Sequence, residues 1–254
     1  MGLVWRAFNE LITPKPLLKL DNQPSKQPLF KTMKVTIGTQ RLEIDVPCGF
    51  GMYSYDEYQD TYFNQVVNLQ MLEYRQWLVY ENAYRVCFFR WYYKTKFLLG
   101  KEGLGNSGDI YLDVNVVRSK APLKSALDIQ QAITKEYRRI ADRSIREMKE
   151  EEANASSSQF ELSQRQARLK TQREDKPKKF EEALVAGVPS VFYEIEDVRD
   201  IEHYYAIPLD EHHYLIIHLK TYMATTSIEG LKQEDIAHKE DLAYLANSIR
   251  FYTD

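Results

Sequence analysis

The stretch EHYYAIPLDEHHYLIIHLKTYM, residues 202–223, decides the fold. Two apolar-aromatic runs, Tyr204 to Ile207 and Tyr214 to Leu219, flank the polar break from Pro208 to His213. Proline and acidic residues in the break, with β-branched and aromatic residues on either side, are the grammar of a β-hairpin. The second run places apolar side chains on both faces. A strand covered on both sides lies inside a sheet, with something packed over each face. The expected cover is the helix that follows, Gln233 to Phe251.

The remaining composition is that of a globular chain. Its 254 residues suffice for one large or two modest domains, and 44% hydrophobic with 13% aromatic residues is ample for a core. The net charge of −3 provides no global basic surface, so nucleic acid is not an expected partner. Cys48 and Cys87, the only cysteines, cannot frame a disulfide scaffold and carry no zinc spacing; two free buried thiols are expected, and no metal or cofactor. No apolar run is long enough to cross a membrane as a helix. Gly2 is not followed by a hydroxyl residue at position 6, which is Arg6, and the start lacks an export leader. A cytoplasmic chain is expected as given, or a periplasmic one after removal of a signal.

Read in order, residues 1–32 form a short amphipathic helix and an arm kept extended by Pro14, Pro16, Pro24 and Pro28. A first module follows over 33–152. Val35 and Ile37, then Leu42, Ile44 and Val46, alternate with polar residues around a Gly38-Thr39 turn. Val66 to Tyr74, Trp77 to Ala83 and Tyr84 to Phe97 read as strands, although 56–81 fits helix equally. Gly100 to Gly108 is a glycine-rich loop before a strand at 109–117; it lacks the order and the Gly-Lys-Ser/Thr ending of a phosphate cradle. Pro122 to about Glu152 is the longest helix, with an inward stripe of Leu123, Leu127, Ile133, Tyr137, Ile140, Ile145 and Met148. A polar linker spans 153–179, and a second module spans 180–254 with a Gly187-Val-Pro189 turn. The predicted class is α+β: two modules, each an antiparallel sheet backed by its C-terminal amphipathic helix. One larger sheet carrying both helices is the alternative.

Three side-chain groups are candidates for function. All five histidines, His203, His212, His213, His218 and His238, lie in the second half, four of them about the hairpin. They lack HExxH spacing, and loop exposure accounts for most of them. Cys48 beside Gly49 is a candidate thiol nucleophile without an assigned base. Tyr53, Tyr55, Tyr58 and Tyr62 among Asp56, Glu57 and Asp60 combine rigid amphipathic rings with carboxylates, as a protein-recognition surface facing a basic partner does. The basic run Arg165 to Lys179 contains Glu174 and Asp175 and reads as a solvated linker. No catalytic or metal-binding residue is assigned.

Strands ending in Val-Pro-Cys-Gly-Phe50, the later Gly-Val-Pro189, the Tyr-Leu-Ile-Ile217 strand and the closing Leu-Ala-Asn-Ser-Ile-Arg-Phe251 resemble the sandwich family named for the photosystem protein PsbP. The two-part layout, with Gly-Asp-Ile-Tyr-Leu112 and Ala-Gly-Val-Pro189, is also similar to immunity proteins guarding bacteria against type VI secreted lipase effectors. That resemblance implies a non-enzymatic protein that docks on a toxin or effector enzyme and occludes it; it assigns no residue. The alternatives are a hydrolase or transferase using Cys48 or the histidine hairpin, and a scaffold subunit that assembles through the 122–152 helix.

Overall fold

The computed structural model describes residues 29–48, 63–96, 102–154, 180–196, 200–223 and 242–253, with 177, 179 and 239 as isolated positions. In chain order the strands are β1 (Leu29–Ile37), β2 (Gln40–Cys48), β3 (Gln65–Val67), β4 (Arg75–Trp77), β5 (Tyr80–Lys96) and β6 (Glu102–Arg118). After helix α1 (Ala126–Asn154) come β7 (Phe180–Val185), β8 (Val188–Glu196), β9 (Asp200–Pro208), β10 (His213–Met223) and β11 (Arg250–Thr253). A short helix, α2, occupies residues 242–248.

The opening hairpin forms as its sequence requires. β9 and β10 pair antiparallel from Tyr214 opposite Pro208 to Tyr222 opposite Asp200. Asp210 builds the turn: its Oδ1 accepts the backbone N–H of His212 at 2.7 Å and of His213 at 2.8 Å. β10 is an interior strand of a seven-stranded sheet ordered β4-β5-β6-β10-β9-β8-β7, and His213 to Leu219 are all buried.

The covers differ from the expected one. On one face lies a four-stranded sheet, β11-β2-β1-β3. Its Met33, Val35, Ile37, Leu42, Ile44 and Val46 pack against Val114, Val116, Leu215, Ile217 and Leu219 of the large sheet, with Leu242 and Leu245 of α2 closing the edge. On the other face lies α1, whose Ile129 and Ile133, with Leu123 ahead of it, meet Tyr80, Tyr193, Tyr204, Tyr214 and Ile216. The molecule is therefore a sandwich of two sheets with a helix outside the larger one.

The α+β class holds, but the sheets do not divide by halves. β6 of the first half pairs with β10 of the second along its length, and β11 returns from the C-terminus to pair with β2. Neither arrangement above is adopted as drawn: the strands form two sheets, each of which combines strands from both halves of the chain or from its two ends. The predicted helix to Phe251 gives way at Ile249, because Phe251 enters the ladder opposite Leu42 and fills the sandwich core. Val66 to Tyr74 is three residues of strand and a 3-10 turn at Leu69–Met71, capped by the Asn68 side chain on the N–H of Gln70. Of the expected glycine-rich loop, Glu102 onward is strand, since β5 runs to Lys96 and keeps β6 paired.

Two details of phase matter later. Ser125 caps α1: its Oγ accepts the Asp128 N–H at 3.3 Å, while the Asp128 carboxylate accepts the Lys124 N–H at 2.9 Å. Leu123 therefore precedes the helix; it, Ile133 and Tyr137 of the expected stripe do pack inward. Leu127, expected inside, is 59% exposed, and Ile129 takes the inward position. The arm and linker expectations fall largely outside the described residues.

Candidate functional site

The helix-side face of the large sheet carries one row of side chains directly opposite one another on four strands: Tyr193, Tyr204, His218 and Asp113. Cross-strand neighbours on one face are the closest side-chain pairs a sheet offers. The rings of Tyr193 and Tyr204 stack at 4.5 Å and those of Tyr204 and His218 at 4.3 Å, both within 4° of parallel. Tyr80 and Tyr193 share a buried hydroxyl hydrogen bond of 2.6 Å beneath α1.

Two carboxylates anchor the row. Asp113 is buried and accepts Trp77 Nε1 at 3.0 Å, Arg85 through two nitrogens at 3.2 and 3.0 Å, and Asn115 Nδ2 at 2.7 Å. Burial nevertheless holds its pKa above the ordinary carboxylate value, with Arg85 and Asn115 opposing. Glu202 accepts His218 Nε2 at 3.1 Å, Lys220 Nζ at 2.7 Å and the Tyr204 hydroxyl. Burial alone would raise its pKa; the hydrogen bond and charge of His218, with Lys220, outweigh that and hold it at about 2. Each carboxylate has its lone pairs occupied by internal donors, so the pair orients side chains and locks strands. One atom stands out: Asn115 Oδ1 is buried without a donor.

The histidine hairpin does not converge. His218 faces α1 with Glu202, while His203, one register step away on β9, faces the other side with Glu194 at 2.9 Å. His213 pairs with Asp210 at 2.8 Å at the turn, and the exposed His212 uses its backbone there. Three histidines thus hold three separate carboxylates, because alternate positions on a strand point to opposite faces. No group of three His, Cys, Asp or Glu able to hold a metal occurs among the described residues. Cys87 is a free, buried thiol whose pKa burial pushes well up, which makes it a poor nucleophile. Cys48 ends β2. His238 and the candidate surface Tyr53, Tyr55, Asp56, Glu57, Tyr58, Asp60 and Tyr62 lie outside the described residues.

Asp113, Asn115, Glu202 and Trp77 were missed in the sequence, although Asp113-Val-Asn115 interrupts an apolar strand with two polar residues on one face. That spacing was the available signal.

The solvent side of α1 offers a different surface. An open groove of about 990 Å³ is lined by Leu127, Thr134, Arg138, Arg146 and, from edge strand β7, Phe180. Leu184, on the same edge strand, is 72% exposed. No helix among the described residues is long and apolar enough to cross a membrane. No family model, no curated protein and no solved structure matches this chain, so the geometry alone carries the functional reading.

Proposed function

We propose that this chain is a non-catalytic binding protein of the inhibitor type, which docks on a toxin or effector enzyme and occludes it. The observation that carries the reading is the pairing of an open edge strand with an unburied helix flank. β7 ends the seven-stranded sheet, and its outer backbone groups have no partner strand among the described residues. An extended segment of another protein can add there by main-chain hydrogen bonds. Beside it, Leu127 and Phe180 supply apolar contact, while Arg138 and Arg146 favour acidic side chains on the incoming segment. The partner surface that fits is an extended, acidic strand with one or two apolar anchors.

The reading also draws on what holds the buried charges. The carboxylates that the helix-side row gathers are saturated by internal donors and serve the fold, which leaves the outer surface as the place for recognition. The test is co-purification from the source cell with the wild-type chain and with Arg138→Glu/Arg146→Glu. The expected result is one stoichiometric enzyme, captured and inhibited by wild type and released by the double variant. Capture that ignores the charge reversal, or a captured enzyme that keeps full activity, would overturn the reading.

A further inference from the structure

A second concavity adjoins the open groove along α1, sharing Gln131, Lys135 and Arg139 with it, and it is built differently. It is a crevice of about 270 Å³ between the 119–123 connection and the helix, with Val117 and Tyr214 of the sheet at its floor. Its apolar wall includes Leu123 and Ala132, and Asn82 stands at one side.

The polar groups there do not balance one another. Arg118, Lys120, Lys135 and Arg139 line the crevice against two carboxylates, Asp128 and Glu136. Arg139 is committed: it pairs with Glu81 and Glu136, each at 2.9 Å, and donates to the Val79 carbonyl at 2.9 Å. Lys120 also pairs with Glu81. Asp128 is committed to the start of α1, where the Lys124 N–H and the Ser125 hydroxyl hold its pKa down. Lys135 and Arg118 have no carboxylate partner among the described residues; Arg118 lies 6.0 Å over the Tyr74 ring.

Tyr214 supplies the independent observation. It is 1% exposed, its ring packs edge-on against Tyr80, and its hydroxyl makes no hydrogen bond to any described residue. Burial, with the charge of Glu136 and the hydroxyl of Tyr137 adding, pushes its pKa well up, so the group remains a neutral O–H donor. Tyr214 lines the crevice, where its hydroxyl can donate to a ligand acceptor. A donor at the floor, an unpaired ammonium at the rim and apolar walls between them are the elements of a small-ligand site. The charged side chains there without an opposite partner, Arg118 and Lys135, are both cations, so the complementary ligand presents acceptors and negative charge.

We propose that this crevice binds a small oxyanion, a carboxylate or phosphoryl group on a compact apolar body, with the Tyr214 hydroxyl and the Lys135 ammonium as its principal donors. Lys135 and Arg139 also line the open groove, so the two surfaces adjoin; Tyr214 and the 119–123 connection belong to the crevice and Phe180 to the groove.

The experiment is calorimetric titration of the full chain with benzoate, inorganic phosphate and, as the neutral control, benzamide. Saturable binding of benzoate or phosphate is expected, with benzamide at least tenfold weaker. Saturation by phosphate alone identifies a phosphoryl ligand, and saturation by benzoate identifies a carboxylate carried on an apolar body; either supports the site. Lys135→Gln should weaken the bound anion at least tenfold. Tyr214→Phe should weaken it about fivefold without lowering the melting temperature of the free protein, because the hydroxyl removed holds nothing in the fold. Failure of both anions to saturate, equal binding of benzamide, or equal affinity in wild type and both variants would overturn the proposal.

Discussion

The two faces of the seven-stranded sheet are built from opposite kinds of side chain. Toward the small sheet, Val86, Phe89, Leu112, Val114, Leu215, Ile217 and Leu219 form an aliphatic layer with one aromatic ring. Toward α1, on β6, β9 and β10, stand Tyr204, Tyr214, His218, Asp113 and Asn115. The first face needs only shape and volume, which many residue combinations satisfy. The second needs direction, because each polar group is buried beside a partner at a fixed distance and loses more when misplaced than it gains when paired. The aliphatic face supplies most of the stability. The polar face specifies which strands lie next to which.

That contrast can be broken most severely on the aliphatic side. Phe89, fully buried opposite Leu112, should cost about 3–5 kcal/mol when replaced by alanine, measured by chemical denaturation. A loss below about 1 kcal/mol would mean that the sandwich closes over the void, contrary to the packing described.

Next in size is Glu202→Gln on the polar face. Its folded-state pKa of about 2 lies below the ordinary 4.5, so between those values the unfolded chain binds more protons than the folded one. Stability from this group is therefore fully present above about pH 4.5 and is lost as pH falls through about 2. At neutral pH the substitution should cost about 3 kcal/mol. The difference between wild type and variant should shrink toward zero on acidification. Asp113 acts with the opposite sign: its raised pKa makes stability fall as pH rises past 3.8. A wild-type-minus-variant difference that is flat from neutral pH down to acid would show that the Glu202 clamp does not form.

The smallest effect sharpens the point about direction. Tyr80→Phe or Tyr193→Phe leaves one buried hydroxyl without its 2.6 Å partner and should cost about 1–3 kcal/mol. The double variant should recover part of that loss, since neither donor nor acceptor is then stranded. Additive losses in a double-mutant cycle would mean that the two hydroxyls do not interact.

Much of the local structure was legible from residue order. The β1–β2 hairpin turns at Gly38-Thr39, with Gly38 at a φ of 60° that favours glycine, and every predicted inward residue from Val35 to Val46 is buried. The β9–β10 hairpin and the interior place of β10 follow from their apolar runs in the same way. The candidate sites were much less legible. The five histidines read as one group because sequence proximity says nothing about which sheet face each side chain takes until the register is known. The donors that saturate Asp113 come from β4, β5 and β6, and no spacing rule joins Trp77, Arg85 and Asn115 to it. Tyr214 was read as core, correctly; that its hydroxyl meets a crevice beside Lys135 depends on α1 crossing above it.

By itself, the sequence determined the β1–β2 and β9–β10 hairpins, the existence of the long helix α1 and which positions are apolar, because propensity, capping and alternation act over a few residues. Only the tertiary structure decided that β6 pairs with β10 and β11 with β2, and that a second sheet covers one face while α1 covers the other. Those pairings join residues about a hundred to two hundred positions apart. They are chosen by the burial of whole faces, which is a property of the assembled sheet and of no single stretch of chain.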